Sequence, residues 1–334
     1  MRLQRLTGLE REKVNAEYQD LIRDIERFQS ILQTPAMVLR LIRDETEQIR
    51  DRYGDDRRSE ILHETGDIDI EVLFVASSHD YLLFFTNHGR VYWKKVHEIP
   101  EAGRMSRGKA IVNLLELRRG ERVATTLALK DFKEGRYVVM ATRRGLVKKT
   151  ELVSYSRPRS GGIVAIRINE GDELIAARVT SGEQDIFLST RQGKSIRFHE
   201  ADLRNMGRVA AGNIGIRLAR GDYLVGMEAL TEGATILTVT ENGYGKRTRT
   251  EEYRTQARAG KGILTIKASE RNGPVVSSHQ VTDQDQLMII TEHGKIIRLR
   301  VRDISIIGRN TKGVKLIDLA QGEKVVAVAK VIED

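Results

Sequence analysis

The feature that most constrains this chain is a five-fold repeat. Five times an apolar strand runs into Thr-x-x-Gly and out into a basic strand, at Thr86–Gly89, Thr142–Gly145, Thr190–Gly193, Thr240–Gly243 and Thr291–Gly294. The glycines lie 56, 48, 50 and 51 residues apart. The preceding strands, Tyr81–Phe85, Tyr137–Met140, Ile186–Leu188, Thr235–Val239 and Leu287–Ile290, are rich in β-branched and aromatic residues. Glycine at the turn supplies positive φ for a hairpin. A second glycine follows in each unit, at Gly108, Gly162, Gly212, Gly262 and Gly313. A short strand comes next, as in Ile163–Ile168, Ile214–Leu218 and Val314–Ile317. Then come a turn (Gly120-Glu121, Gly171-Asp172, Gly221-Asp222, Asn272-Gly273, Gly322-Glu323) and a last apolar strand. Four strands per unit of about 50 residues is the period of a propeller blade. The expected fold is mainly β: a five-bladed β-propeller, pinwheel-like, with four-stranded blades over residues 72–334.

Basic residues recur at one place in every unit. They flank the turn and fill the strand after it: Arg90, Lys94 and Lys95; Arg143, Arg144, Lys148 and Lys149; Arg191, Lys194 and Arg197; Lys246, Arg247 and Arg249; Lys295, Arg298 and Arg300. The loop before the second glycine adds Arg104, Arg107 and Lys109; Arg157 and Arg159; Arg204 and Arg208; Arg254, Arg258 and Lys261; Arg309 and Lys312. Equivalent positions on a ring form a belt, and a belt of point charges suits a phosphate backbone without reading base sequence. Duplex is favoured over single strand, because aromatics are 5% of the chain and Trp93 is the one tryptophan. Replacing Lys148 and Lys149 is expected to weaken all duplexes alike and to flatten the salt dependence.

The segment ahead of the repeats has a different pattern. Val14, Tyr18, Leu21, Ile25, Phe28 and Leu32 step by four and three, the seam of a coiled coil. Thr34-Pro35 starts a second helix and Tyr53-Gly54 ends it. The reading is a helical coiled-coil segment at 1–64, an acidic linker at 65–71, and the propeller at 72–334. The seam needs a partner helix, from another chain or from sequence upstream. Residues 1–71 carry a net charge of −5 and the remainder +14, so the chain's net +9 is an acidic segment followed by a strongly basic one. A basic domain of that kind points to nucleic acid.

Composition narrows the classes further. With no cysteine, disulfides and thiolate metal sites are excluded. The apolar runs are too short for a membrane helix, and the N-terminal residues lead into a charged helix rather than a signal core, so a cytoplasmic protein is expected. His88 and His293 share a repeat position beside the turn glycine and are read as turn chemistry. Glu121, Asp172, Asp222 and Glu323 repeat too, and are read as structural caps. No acid–base or metal cluster emerges, so no catalytic residue is assigned.

Residues 72–334 resemble the C-terminal domain of the DNA gyrase A family, among the bacterial type IIA topoisomerases. The stretches carrying the likeness are Leu82–Trp93, Gln184–Phe198, Asn242–Thr248 and Ser305–Val314. Residues 1–64 resemble the end of the same protein's coiled-coil region near its dimer gate. The resemblance implies a propeller that wraps duplex DNA on its rim and presents a second segment to the gate for negative supercoiling. It implies gyrase B as partner, with ATP and Mg belonging to gyrase B, no cofactor bound by this chain, and a homodimer through the helical region. The catalytic tyrosine region of the family is absent, so the chain is not expected to cut DNA alone. The family usually has six blades, the first carrying a box of the form Gln-Arg-Arg-Gly-Gly-x-Gly. Here the sequence passes from Glu71 to Val72 with five repeats and no such box. Gln256–Gly262 and Arg309–Gly313 are its nearest relatives, in later units. Wrapping is therefore expected to be impaired, in the direction of the related topoisomerase IV. The competing reading is a propeller scaffold for protein–protein contacts.

Overall fold

The computed structural model describes residues 79–99, 111–157 and 159–331. The coiled coil of 1–64 and the linker of 65–71 lie outside the described residues. The first repeat supplies β1 (Tyr81–Thr86), β2 (Arg90–Lys95) and β3 (Val123–Leu129). The second supplies β4 (Tyr137–Thr142), β5 (Leu146–Glu151), β6 (Ile163–Val164) and β7 (Leu174–Thr180). The third supplies β8 (Asp185–Thr190), β9 (Lys194–His199), β10 (Asn213–Ile214) and β11 (Leu224–Ala229). The fourth supplies β12 (Thr235–Thr240), β13 (Tyr244–Arg249), β14 (Ile263–Leu264) and β15 (Val275–Val281). The fifth ends with β16 (Gln286–Thr291), β17 (Ile296–Arg300), β18 (Val314–Lys315) and β19 (Val325–Val331).

These strands form five antiparallel sheets, in the orders β3-β1-β2-β6, β7-β4-β5-β10, β11-β8-β9-β14, β15-β12-β13-β18 and β19-β16-β17. The innermost strands β3, β7, β11, β15 and β19 stand beside one another in that order. The chain is a five-bladed propeller, as the period implies, but the repeat is not the blade. Every outer strand comes from the next repeat: Ile163 pairs with Val91, Asn213 with Val147, Ile263 with Ser195 and Val314 with Gly245. The expected fourth strand of each unit therefore belongs to the sheet before it. It is also shorter than expected, only two residues. Among the described residues the last sheet has three strands.

Both faces of each sheet are covered, so consecutive strand residues point into different cores. Val138 and Met140 pack with Leu83 and Phe85 of the first blade, while Val139 and Ala141 pack with Ile186 and Leu188 of the third. That is why the strands read as continuous apolar runs rather than alternating ones. Each fully buried Val, Leu or Phe stabilises by roughly 1.5–3 kcal/mol, and these clusters place that stabilisation between blades. Trp93 is part of such a cluster, edge-on to Tyr81 at 5.0 Å and close to Phe132, and is not an open stacking platform.

The Thr-x-x-Gly motif closes the hairpin at both ends. The threonine carbonyl accepts the glycine N–H at 2.9–3.0 Å in all five turns. In four of them the buried threonine Oγ1 accepts the N–H of the residue after the glycine at 3.2 Å. Gly193 has φ of +81°, and a Cβ there would lie 2.4 Å from the Ile266 carbonyl oxygen. Its own carbonyl accepts the Thr265 N–H at 2.8 Å, so the turn is also the seat of the lent strand.

Candidate nucleic-acid interface

The turn carboxylates act as caps. Glu121 accepts from Thr86 Oγ1 at 2.6 Å, the Tyr92 hydroxyl at 3.0 Å and the Arg118 N–H at 2.8 Å. Asp172 accepts the Arg144 N–H at 2.9 Å, and Asp222 the Gln192 N–H at 3.0 Å. Glu323 accepts the Ala320 N–H at 2.9 Å and the Thr291 hydroxyl. Burial would raise the Glu323 carboxyl, and these two donors outweigh it, leaving its pKa lowered.

Four of the expected phosphate contacts are corrected by burial. Lys148 and Lys246 are 0% exposed, Arg247 4% and Lys149 8%. A buried ammonium must find carbonyls, and these do. Lys148 Nζ donates to the carbonyls of Ala165 at 2.5 Å, Gly207 at 3.1 Å and Arg208 at 2.5 Å. Lys246 Nζ donates to those of Gly308 at 2.6 Å and Arg309 at 2.7 Å. Burial, aided by Arg208, pushes the Lys148 pKa down to about 7, and burial pushes Lys246 down to about 8. One position further, Lys149 reaches the Glu200 carbonyl at 2.8 Å, Arg197 the Thr250 carbonyl at 2.9 Å and Arg247 the Ile304 carbonyl at 2.8 Å. Each crosses to a 3-10 turn of the following blade or its C-terminal cap (Glu200–Asp202, Thr250–Glu252, Val301–Asp303). These residues are staples between blades. The sequence carried a sign of it: Lys148 pairs with Met140 and Lys246 with Thr238, on strands buried on both faces.

A second group is held by contacts within the protein. Arg208, Arg258 and Arg309 occupy one repeat position, and each donates to a lent strand, at the Val164, Ile214 and Leu264 carbonyls. Arg90 donates to the carbonyls of Gly161 and Gly162. Arg143 and Arg191 lie over the same Tyr223 ring at 3.9 and 5.6 Å and pair with Glu173 and Glu241 respectively. Arg298 donates to Gln286. Lys94 and Lys95 are half-buried at the far end of β2 from the turn, opposite Leu82 and Tyr81.

The exposed group comprises Arg144, Arg157, Arg159, Lys194, Arg204, Arg249, Arg254, Lys261, Lys295, Arg300 and Lys312, and Arg157 lies at the border of the described residues. Arg104, Arg107 and Lys109 lie outside the described residues. Among the exposed cations outside the basic clusters of the sequence, Arg167, Arg217 and Lys267 share one repeat position. Each stands five residues after its second glycine, and that spacing was the available signal. Each is fixed by its backbone N–H, which donates to the next loop at Ala210 (3.1 Å), Gly260 (2.9 Å) or Thr311 (2.8 Å). The segments that follow the lent strands thus present one cation per blade on three successive blades.

Among the described residues no group of three or more His, Asp or Glu could hold a metal ion, and no helix is long and apolar enough to cross a membrane. His88 is exposed, and His293 Nδ1 lies 3.8 Å from the capping Glu323. His279 sits on an inner strand, 3.4 Å from Glu228 and 3.0 Å from the Val328 carbonyl.

Fold and surface together define a strand-lending propeller of the type found at the C-terminus of type IIA topoisomerases, with cations on its outer strands. The family model described as "DNA gyrase C-terminal domain, beta-propeller" matches residues 80–130, 136–181, 184–231, 234–281 and 285–332, one segment per repeat. The chain belongs to that family. It is 42% identical to the DNA gyrase A protein of Salmonella typhimurium over 381 aligned positions, and 42% identical to that of Staphylococcus aureus over 386. Both alignments cover 100% of this chain but only 43–44% of the relative, so the chain spans less than half the length of these proteins. Among solved structures it is similar to the C-terminal domain of DNA topoisomerase IV (TM-score 0.71, 28% identity, 78% of this chain and 82% of that one). It is also similar to the DNA gyrase A C-terminal domain (TM-score 0.69, 25% identity, 79% and 86%).

Proposed function

We propose that this chain binds duplex DNA along the outer strands of the propeller, bends it, and serves as the wrapping part of a gyrase A protein. The observation that carries the reading is the row Arg167, Arg217 and Lys267, exposed and in register beside the lent strands of successive blades. Around it stand Lys194, Lys261, Lys295 and Lys312. Cations set along a rim can each meet a backbone phosphate, and bending a site by 40–90° costs on the order of 1–6 kcal/mol, which many spaced contacts offset. In the assembly the bound segment would be presented for ATP-dependent negative supercoiling. ATP and Mg would be held by gyrase B, and the region of 1–64 would join a second copy. The chain would bind no cofactor itself and would not cut DNA alone.

The alignments with the curated relatives run to 381 and 386 positions against 334 residues here, a difference close to one repeat. That supports the reading that a box-bearing blade is missing and that wrapping is reduced. Nicked circular DNA, ligated with increasing protein and run as topoisomers, tests it. Binding without a linking-number change is the expected result. A shift that grows with protein would show full chiral wrapping without the box. Failure to bind duplex at all would leave the protein-scaffold reading.

A further inference from the structure

On the third blade the exposed cations converge. Lys194 follows the hairpin glycine, Arg217 follows the lent strand of the same repeat, and Lys261 precedes the second glycine of the next repeat. All three are exposed, and they line one groove of about 300 Å³ floored by Ile216 and Leu218. The one acid in the groove is Asp222, whose Oδ1 caps the N–H groups of Gln192 and Tyr223 at 3.0 and 2.9 Å. Thr190 completes the wall with its Oγ1 already accepting the Lys194 N–H. No described carboxylate forms an ion pair with any of the three cations.

The other blades do not reproduce this. The equivalent positions are Leu146, Arg167 and Ala211 on the second blade, and Tyr244, Lys267 and Lys312 on the fourth. On the fifth, Lys295 Nζ donates to the Asp318 carbonyl at 3.1 Å, and Asp318 is itself paired with Lys315 at 2.6 Å. On the first, Arg90 is held by two glycine carbonyls. Three cations against one carboxylate over an apolar floor leave a net positive groove, with a stronger local field than charges spaced along a flat surface.

We infer that this groove is the anchor of the DNA path: it takes one backbone phosphate, and the duplex is positioned from the third blade outward. The inference rests on the DNA-binding reading above. Its substrate class is the phosphodiester anion, with no base readout, since the three groups are point charges or a fork suited to oxygen anions.

The test compares two triple variants of the full chain on one linear duplex at several salt concentrations. The first is Lys194→Gln, Arg217→Gln and Lys261→Gln. The second removes the same charge elsewhere, by Arg167→Gln, Lys267→Gln and Lys312→Gln. The groove variant is expected to bind at least about tenfold more weakly than the second variant at equal salt. Both should melt as the wild type does, because these side chains hold no internal structure. Equal loss in the two variants, with wild-type binding intact, would overturn the anchor and leave DNA binding standing. Absence of duplex binding by the wild type would instead sink the underlying reading and the anchor with it. The chain has no cysteine, so Ala219→Cys offers a single attachment point for an iron–EDTA group in the groove. Strand scission from that position is expected. Its absence, with affinity retained, would also overturn the anchor.

Discussion

Lys148 Nζ on the second blade donates to the carbonyl of Arg208 in the loop of the third repeat at 2.5 Å. A basic residue whose position suggests a phosphate ligand instead fixes the backbone beside a basic residue that is partly exposed. Replacing Lys148 with methionine should therefore cost stability rather than DNA affinity. The carbonyls of Ala165, Gly207 and Arg208 would lose their shared donor, a loss of roughly 2–4 kcal/mol. The slope of log K against log salt for duplex should stay near wild type, and thermal melting beside a salt titration checks both. A slope shallower by about 0.9 would return Lys148 to the phosphate contacts.

The same lysine predicts a pH dependence. Burial lowers its pKa from 10.5 to about 7, so between those values the unfolded chain binds the extra proton. Stability should rise with pH across that window. Denaturant melts at about pH 7 and about pH 9.5, inside the window that linkage defines, should show the rise in the wild type and a weaker one in the methionine variant.

At the inner strands the sign reverses. Glu228 is buried, which would raise its pKa, but Arg178 at 3.0 Å and His279 outweigh that and hold it near 2. A carboxyl so depressed stabilises above its unfolded pKa, and that contribution is lost as pH falls from about 4.5 towards 2. Glu228→Gln should remove this part of the acid transition. At neutral pH it should cost roughly 2–3 kcal/mol, near the low end for a broken pair because Arg178 is partly exposed. An acid melt unchanged by the substitution would show that other carboxylates carry the transition.

Gly193→Val meets two obstacles. Positive φ resists a β-branched residue, and the new Cβ would press on the Ile266 carbonyl oxygen 2.4 Å away. A fall in the melting temperature of several degrees is expected, with the seam between the third and fourth blades opening first in hydrogen exchange at Thr265 and Ile266. Uniform exchange across the chain would mean the turn is not a local staple.

Arg167→Gln taken alone should weaken every duplex by a similar factor and shift the salt slope by no more than about 0.9. Binding competition between duplexes of unrelated sequence measures this. Discrimination appearing between them would mean that bases, not phosphates, face the lent strand.

The blades and turns are legible in the sequence because each threonine, glycine and capping acid answers a local backbone demand that recurs every 48–56 residues. The exchange of strands is not. Ile163-Val164 satisfies strand propensity equally well in its own blade or the previous one, and only the position of the Gly89 carbonyl, which accepts the Ala165 N–H at 2.8 Å, decides between them. The belt is legible as a repeat but not as a surface. Lys148 and Lys149 are adjacent on a strand covered on both sides, and a basic pair there is a request for carbonyls. Arg167, Arg217 and Lys267 are hard to single out because they stand apart from the basic clusters, one per unit.

The strand lending has a genealogical consequence. Because every outer strand passes from a repeat to its predecessor, cutting out any stretch one full period long rejoins two ends that already know how to meet. A sheet deprived of its donor finds an equivalent one next in line. A protein with closed, self-sufficient blades would have to heal two surfaces after such an excision. This one shortens as a ribbon does, keeping each junction the same.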